Sequence, residues 1–480
     1  MKLSEIIKGV NYLKLQGEDT EILHLSYSSK KVKKGSLFFA IKGAKFDGNQ
    51  FIDEAIEGGA VGVVSISPPS REDIAWVQVL DVREEMAKIA ANFFEHPSRQ
   101  LKVIGITGTN GKTTVVQLSA AITEGGFIST VENFYGKKER SKLTTPESID
   151  IQWMLRQMVK NGLKYASIEA SSHGLYFHRL DEIDFDVCVF TNLSGDHLDF
   201  HLTMERYFQA KSKLFQMIEG SDKWAIINND DPYGKKLLQM VNCGILSYGM
   251  TEESSIYPEK YLITLEGIEA EINSPVGKFS IRSSLTGRFN LYNIMAAIGV
   301  GIVLKIDKEK IIERIARFSG VKGRMDRIKF GDAVVIIDYA HSDDSLEKLL
   351  KAVRELVPGR IIAVFGAGGD RDRAKRPRMG RVAGENADLV IITSDNPRSE
   401  DPLKIIQEIE AGVKEKTSLY MKIPDRKRAI EKALELSKPG DAVVIAGKGH
   451  EDYQILGDKI IHFSDHEVVS DFIRRKHAAQ

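Results

Sequence analysis

The sequence predicts an α/β protein of three domains, two of them built on parallel sheets. Three observations carry this. A chain of 480 residues exceeds the ~250–300 at which one hydrophobic core stops growing. From residue 102 onward, short apolar runs alternate with helical stretches, as in parallel sheets covered on both faces. Many of these runs pass straight into polar or glycine-rich loops, the strand ends at which open α/β sheets place ligands.

Residues 1–98 read as a small mixed α/β unit. "GSLFFAIKG" is a strand, "FIDEAIEGGA" an amphipathic helix and "VGVVSI" a second strand. A helix rich in Ala and Phe then runs to Pro97, which sets the first boundary. Residues 99–322 continue with "KVIGIT", "YASIEA", "DVCVFTN" and "KWAIINND" as strands. Residues 323–480 begin after "FSGVKGRMD" and supply "AVVIIDYAH", "RIIAVFGAGG", "ADLVIITSDNP" and "DAVVIAGKGHE".

Lys+Arg and Asp+Glu both number 67, which removes any bulk electrostatic reason to expect nucleic acid or an anionic membrane as partner. The longest apolar run, Ile294 to Leu304, falls short of the ~20 residues that span a bilayer. No apolar leader segment opens the chain, so a cytoplasmic protein is expected. Two cysteines, Cys188 and Cys243, are too few for a disulfide framework and are expected to be buried thiols.

"GITGTNGKTT", residues 105–114, follows a strand and opens a helix, the context of a phosphate cradle. Its spacing differs from G-x-x-x-x-G-K-[ST]: Ile106 stands where the first glycine belongs. Gly108, Thr109, Asn110, Gly111, Lys112, Thr113 and Thr114 form the candidate nucleotide loop, with Lys112 on the β- and γ-phosphates and the Thr113 hydroxyl on Mg²⁺. Glu169, ending the strand in "ASIEASSHGL", suits a second Mg²⁺ ligand or a solvated loop. "TNLSGDHLDFH" clusters Asp196, His197, Asp199 and His201; one His completing a Mg²⁺ or Mn²⁺ shell fits better than a transition-metal site.

In the amphipathic helix "YFQAKSKLF", Lys211 falls with the apolar residues and reads as a snorkelling lysine. Asn290 and Asn293 precede an apolar helix, where Asn290 caps it or the pair reads an adenine edge. Arg371, Arg373, Lys375 and Arg376 crowd one glycine-rich loop and imply a bound carboxylate or phosphate. Further strand ends carry Asp338, His341, Asp395, Asn396, Arg398, His450 and Glu451.

In this order, these motifs resemble the Mur ligase family over essentially the whole chain, whose ATP loop is T-G-T-N-G-K-T. The resemblance implies an N-terminal UDP-binding domain, a central ATPase domain and a C-terminal Rossmann-like domain that brings an amino acid. It implies ATP and Mg²⁺ as cofactors, and UDP-MurNAc-L-Ala-D-Glu and a diamino acid as partners. Ser29, Thr144, Thr145, Ser171 and Arg179 match residues that hold the muramoyl-dipeptide, although Phe177 stands where many members have Gln. Glu169 and His197 match metal ligands. Lys211 matches a lysine carried as a carbamate, which reverses the snorkelling reading. Asn290 and Asn293 match adenine contacts, and Arg324, Asp338 and His341 match groups near ribose and phosphate. Arg371, Asp395, Asn396, Pro397, Arg398, Gly447 and Glu451 match the pocket for the third peptide residue, and "DNPR" is the form used for meso-diaminopimelate. The implied reaction is ATP-dependent amide ligation through an acyl phosphate by a monomeric enzyme. Lysine as the added amino acid, a folylpolyglutamate-type ligase and a P-loop switch are the alternatives.

Overall fold

The computed structural model describes residues 1–43, 46–71 and 73–478. The first sheet has five strands in the order Tyr12–Gln16, Ala75–Val79, Ala60–Ser65, Ser36–Phe39, His24–Ser26, with only the first pair antiparallel. Side chains alternate across a strand. Leu37 and Phe39 therefore pack on Met86 and Ile89 of the helix Val82–Phe93, while Phe38 packs on Ile52 and Ala55 of the helix Ile52–Glu57. Burial on both faces explains why "SLFF" is apolar throughout. The helix Val82–Phe93 stops before Pro97: Glu95 (φ 59°) and His96 (φ 46°) are left-handed, and Pro97 opens a 3₁₀ turn. Proline disfavours α geometry in the residue before it, so the chain leaves the helix early.

The central sheet has eight strands in the order Cys243–Tyr248, Gly220–Asn228, Phe185–Phe190, Lys102–Thr107, Tyr165–Glu169, Gly126–Ile128, Glu132–Phe134, Lys138–Arg140. The first six run parallel and the last two return antiparallel. One face is covered by the helices Lys112–Thr123 and Arg288–Val303, packing Val115, Leu118, Ile294 and Ile298 on Ile104 and Ile106. The apolar run noted in the sequence is this second helix, and no described helix is long and apolar enough to cross a membrane. The other face packs Leu155, Leu214 and Phe215 on Val103 and Phe185. Cys188 is buried in that layer, whereas Cys243 is only half-buried at the edge strand. An antiparallel three-stranded sheet, Tyr257–Ile263, Ile268–Asn273 and Phe279–Ser283, was not read from the sequence. Its signal was present: in "IEAEIN" the buried Ile268, Ala270 and Ile272 alternate with exposed Glu269 and Glu271.

The third sheet has six strands in the order Asp326–Phe330, Ala333–Asp338, Ala442–Ala446, Ile361–Phe365, Leu389–Ile392, Tyr420–Lys422, parallel after the first pair. Arg426 is fully buried behind it and donates to both oxygens of the equally buried Asp465, at 2.8 Å each, and to Ala446 O at 3.0 Å. Removing one partner strands a buried charge. Asp465→Asn therefore lowers unfolding stability by about 3–5 kcal/mol, read as a shift in the urea midpoint at unchanged slope.

Candidate active site

The carboxyl ends of the central and third sheets face one another across a cleft of about 640 Å³. The loop 108–111 lies on the central side. Gly108 (φ 143°) leaves no room for a side chain, since a Cβ there would stand 1.9 Å from Thr191 Oγ1. Gly111 (φ 86°) starts the helix Lys112–Thr123 without a side-chain cap, which leaves the first-turn N–H groups facing the cleft. Asn192, not singled out in the sequence, braces the loop: its Oδ1 accepts from Asn110 N at 3.0 Å and its O from Thr109 N at 2.8 Å.

Lys112 Nζ donates to Thr109 O at 2.7 Å, and burial lowers its pKa. Thr113 Oγ1 lies 3.0 Å from Glu169 Oε2, and Thr114 is buried beside it. Glu169 Oε2 also accepts from Thr130 N and Thr130 Oγ1, both at 3.0 Å, which makes Thr130 a second residue that sequence reasoning missed. Thr144 Oγ1 lies 3.1 Å from Thr130 Oγ1, which can accept its proton.

Lys211 does not snorkel. It is 1% exposed, and its Nζ donates to Gly108 O at 2.6 Å beneath the phosphate loop. The helix Met204–Gln216 turns this face wholly into the core, so the stem has no path to water. Burial drives the Lys211 pKa well below the ordinary lysine value, and the Lys112 cation adds to the effect. His197, left-handed at φ 54°, stands partly exposed at the cleft mouth, where loss of solvent to the groups around it lowers its pKa. His173 and Tyr207 pack against it, and His201 packs on Tyr207. Among the described residues no group of three or more His, Cys, Asp or Glu is arranged to hold a metal ion.

Asn290 does not cap its helix: the start falls at Gly287, placing Asn290 in the first turn and Asn293 in the second. Asn290 Nδ2 donates to Thr286 O at 2.8 Å, Asn293 Nδ2 donates to Asn290 Oδ1 at 2.9 Å, and both line the cleft beside Gly111.

From the third domain, Arg324 Nη2 reaches Thr113 Oγ1 at 3.4 Å and stacks over Tyr339. Asp338 accepts from Met325 N at 2.6 Å and Ala340 N at 2.8 Å; burial raises its pKa. His341 Nδ1 is 2.9 Å from Tyr339 O, and burial lowers its pKa. Asp344 was not foreseen. Its Oδ2 accepts from Asn110 Nδ2 at 3.0 Å and Ser194 Oγ at 2.7 Å, tying the segment after the strand Ala333–Asp338 to the loop 108–111.

On the N-terminal side, Ser29 opens the 3₁₀ turn Ser29–Lys31 beside Tyr27, whose hydroxyl donates to Asp150 at 2.6 Å. Thr145 is buried, its hydroxyl 2.6 Å from Glu169 O and 2.9 Å from Ser171 Oγ. Ser171 also accepts from Gly174 N at 3.0 Å. Arg179 donates to Thr145 O at 2.9 Å and pairs with Glu147 at 2.8 Å; Arg83 pairs with the same carboxylate at 2.6 Å. Phe177 lies under both guanidiniums.

The cation-rich loop needs a correction. Arg376 is fully buried between Glu400 and Glu408, and Arg373 also pairs with Glu408, so the anion these two hold is internal. Lys375 donates to His341 O at 2.9 Å. Only Arg371, exposed and unpaired among the described residues, keeps a free guanidinium. Nearby, Arg398 (φ 53°) donates to Gly369 O at 2.8 Å, and its loop is pinned to the hairpin strand Tyr453–Leu456 through Arg398 N and Ile455 O at 3.1 Å. Pro397 is buried in that loop, and Asp395 accepts from Asn396 N at 2.6 Å. Asn396 Nδ2 donates to Glu451 Oε2 at 2.9 Å, and Gly447 N donates to Asp338 O at 3.1 Å, which joins this pocket to the cleft.

Comparison with known proteins agrees along the chain. Residues 21–94 match the model described as Mur ligase family, catalytic domain; residues 106–301 the Mur ligase middle domain; and residues 323–449 the Mur ligase, glutamate ligase domain. A Clostridium acetobutylicum protein named UDP-N-acetylmuramoyl-L-alanyl-D-glutamate–2,6-diaminopimelate ligase 1 is 42% identical, over 99% of each chain. A Caldanaerobacter subterraneus protein of the same name, without the numeral, is 43% identical over 98% of this chain and 99% of its own. A solved UDP-N-acetylmuramoyl-L-alanyl-D-glutamate–2,6-diaminopimelate ligase superposes with a TM-score of 0.69 at 31% identity, covering 99% of both chains. The Thermotoga maritima MurF ligase in complex with ADP shares the fold, with a TM-score of 0.68 at 20% identity over 95% of this chain and 98% of its own. With relatives so similar from end to end, and with three family models matched one after another along it, this chain belongs to the Mur ligase family.

Proposed function

We propose that this protein joins meso-diaminopimelate to the D-glutamyl carboxylate of UDP-MurNAc-L-Ala-D-Glu, converting ATP to ADP and phosphate. The observation that carries the reading is the facing of two strand-end edges. One holds a phosphate loop over a buried lysine; the other holds a pocket with Arg398, Asn396 and Glu451. We assign UDP-muramoyl binding to residues 1–98, ATP chemistry to 99–322 and amino-acid delivery to 323–480, working in the cytoplasm where ATP is made.

The substrate carboxylate attacks the γ-phosphorus and ADP leaves, giving an acyl phosphate; the amine then attacks the acyl carbon, phosphate leaves and the amine loses its proton. A carboxylate will not approach a polyphosphate until charge is neutralised. Lys112 and the helix N-terminus supply cation and dipole on one side, Arg324 on the other. Thr113 and Glu169 offer adjacent hard oxygens at 3.0 Å, a donor set that suits Mg²⁺ with water completing its shell. With neutral His197 and carbamylated Lys211 they would hold Mg²⁺, which when bound neutralises developing phosphoryl charge. The depressed Lys211 pKa matters because only a neutral amine adds to CO₂, forming the carbamate and releasing a proton. Asn290 and Asn293 wall the adenine side, while Ser29, Thr144, Ser171 and Arg179 hold the muramoyl peptide, with Thr145 setting the Ser171 turn.

Phosphate release that requires both the UDP-muramoyl-dipeptide and the amino acid is the expected result for purified enzyme with ATP. Vigorous ATP hydrolysis indifferent to both would mark a switch ATPase instead. The interdomain bonds of Asp344 should also matter. Asp344→Ala costs about 1.5 kcal/mol of closure, a roughly tenfold loss of kcat/KM for the amino acid, checked by steady-state kinetics beside scattering with and without an ATP analogue.

A further inference from the structure

Lys448 has no exposed surface, yet none of the roles above uses it. A buried ammonium is costly unless charge and hydrogen bonds compensate it, and a well-packed apolar side chain often serves stability as well or better. What surrounds Lys448 is the amino-acid pocket. Its Nζ lies 3.1 Å from Glu451 Oε2 and 3.3 Å from Asn396 Oδ1, and 5.4 Å from the centre of the Tyr453 ring. Glu451 Oε2 also accepts from Asn396 Nδ2 at 2.9 Å, so two donors occupy that oxygen; among the described residues Oε1 receives only the Tyr453 hydroxyl, at 3.3 Å. Asn396 is fixed in turn, because its Oδ1 takes Ile455 N at 3.0 Å as well as Lys448.

The charges then decide what the pocket prefers. Arg371, Arg398 and Lys448 are its cations and Asp395 and Glu451 its anions, with the buried Arg426 close enough to feel both carboxylates. Among the described residues Lys448 is the one cation within hydrogen-bond reach of Glu451; without it the carboxylate keeps only the neutral donors Asn396 and Tyr453 and would attract any ammonium. With Lys448 in place Glu451 is offset, and Arg371 and Arg398 favour a ligand that brings a carboxylate.

We propose that Lys448 is a specificity-determining positioning residue: by orienting and offsetting Glu451 from behind, it makes the pocket accept a diamino acid whose far end is a zwitterion and reject one whose far end is a bare ammonium. Lys448 touches no substrate and acts through Glu451 and Asn396. This rests on the functional reading above and deepens it by naming what excludes lysine.

The test compares kcat/KM for meso-diaminopimelate and L-lysine in the full-length enzyme, Lys448→Met and Lys448→Gln, with thermal melting and ATP-analogue binding on each. Both substitutions remove the charge, while Gln keeps a donor for Glu451. The expected result is a fall of at least about tenfold in the diaminopimelate-to-lysine ratio for both, carried by KM for the two amino acids, with kcat and the ATP KM unchanged. A ratio that stays at the wild-type value in either folded variant overturns the proposal, as does a loss confined to kcat. Chains that fail to fold with either substitution show Lys448 to be a structural cation and overturn it too. A wild-type enzyme that charges neither amino acid removes the functional reading itself, an outcome distinct from unchanged selectivity in the variants.

Discussion

Lys211→Ala lowers kcat by at least about a thousandfold while leaving the ATP KM within about threefold. The size follows from where the group sits. Lys211 Nζ is buried under the loop 108–111, 2.6 Å from Gly108 O, and converting its amine to a carbamate would place an anion at the point where Mg²⁺ would gather. On the proposed function, loss of that anion would leave the transferring phosphoryl group without part of its neutralisation, while the loop and the Asn290–Asn293 wall would remain to bind nucleotide. Lys211→Arg should fare no better, because a guanidinium remains charged and does not add CO₂. Acetate or formate should restore part of the lost rate in Lys211→Ala by placing a carboxylate in the space left. A ¹³C-labelled carbamate signal, present in the wild type and absent in the variant, checks the modification apart from activity. Full activity of Lys211→Ala would remove the carbamate from the account.

Arg398→Ala raises KM for meso-diaminopimelate by about several hundredfold, with the ATP KM unchanged. A guanidinium meeting the distal carboxylate in a fork makes two charge-assisted hydrogen bonds, each worth about 1.5–3 kcal/mol. Arg398 is preorganised for this. Its left-handed backbone is pinned by Ile455 and Gly457 of the neighbouring hairpin, and its Nη1 is anchored on Gly369 O. Strain of this kind persists only where the surroundings over-determine it. Arg398→Lys keeps the charge but loses the planar fork, so it should recover only part of the affinity. Equal KM values for wild type and Arg398→Ala would place the distal carboxylate elsewhere.

The sequence carried more of this site than tertiary reasoning from composition would suggest, and the reasons differ by residue. The loop 108–111 is local: four residues between a strand and a helix, legible because glycines and lysine fall at fixed offsets. Lys211 is not local. A lysine on the apolar side of an amphipathic helix reads as snorkelling until one knows that the loop 108–111 closes over it, and only the family resemblance signalled otherwise. Asp344 and Asn110 meet across 234 positions of sequence, with no pattern to announce it. Arg373 and Arg376 misled for a related reason, since Glu400 and Glu408, which hold them, lie on a segment that folds back onto their helix. The antiparallel sheet between residues 257 and 283 was legible by its alternation and was missed because the strand–helix rhythm on either side drew the reading away from it.

The most direct test sets meso-diaminopimelate against L-lysine in one reaction, with ATP, Mg²⁺, UDP-MurNAc-L-Ala-D-Glu and purified enzyme. The account predicts that the UDP-muramoyl-tripeptide contains diaminopimelate almost alone and that phosphate appears in equal amount. Comparable incorporation of lysine, or phosphate release without tripeptide, would contradict it.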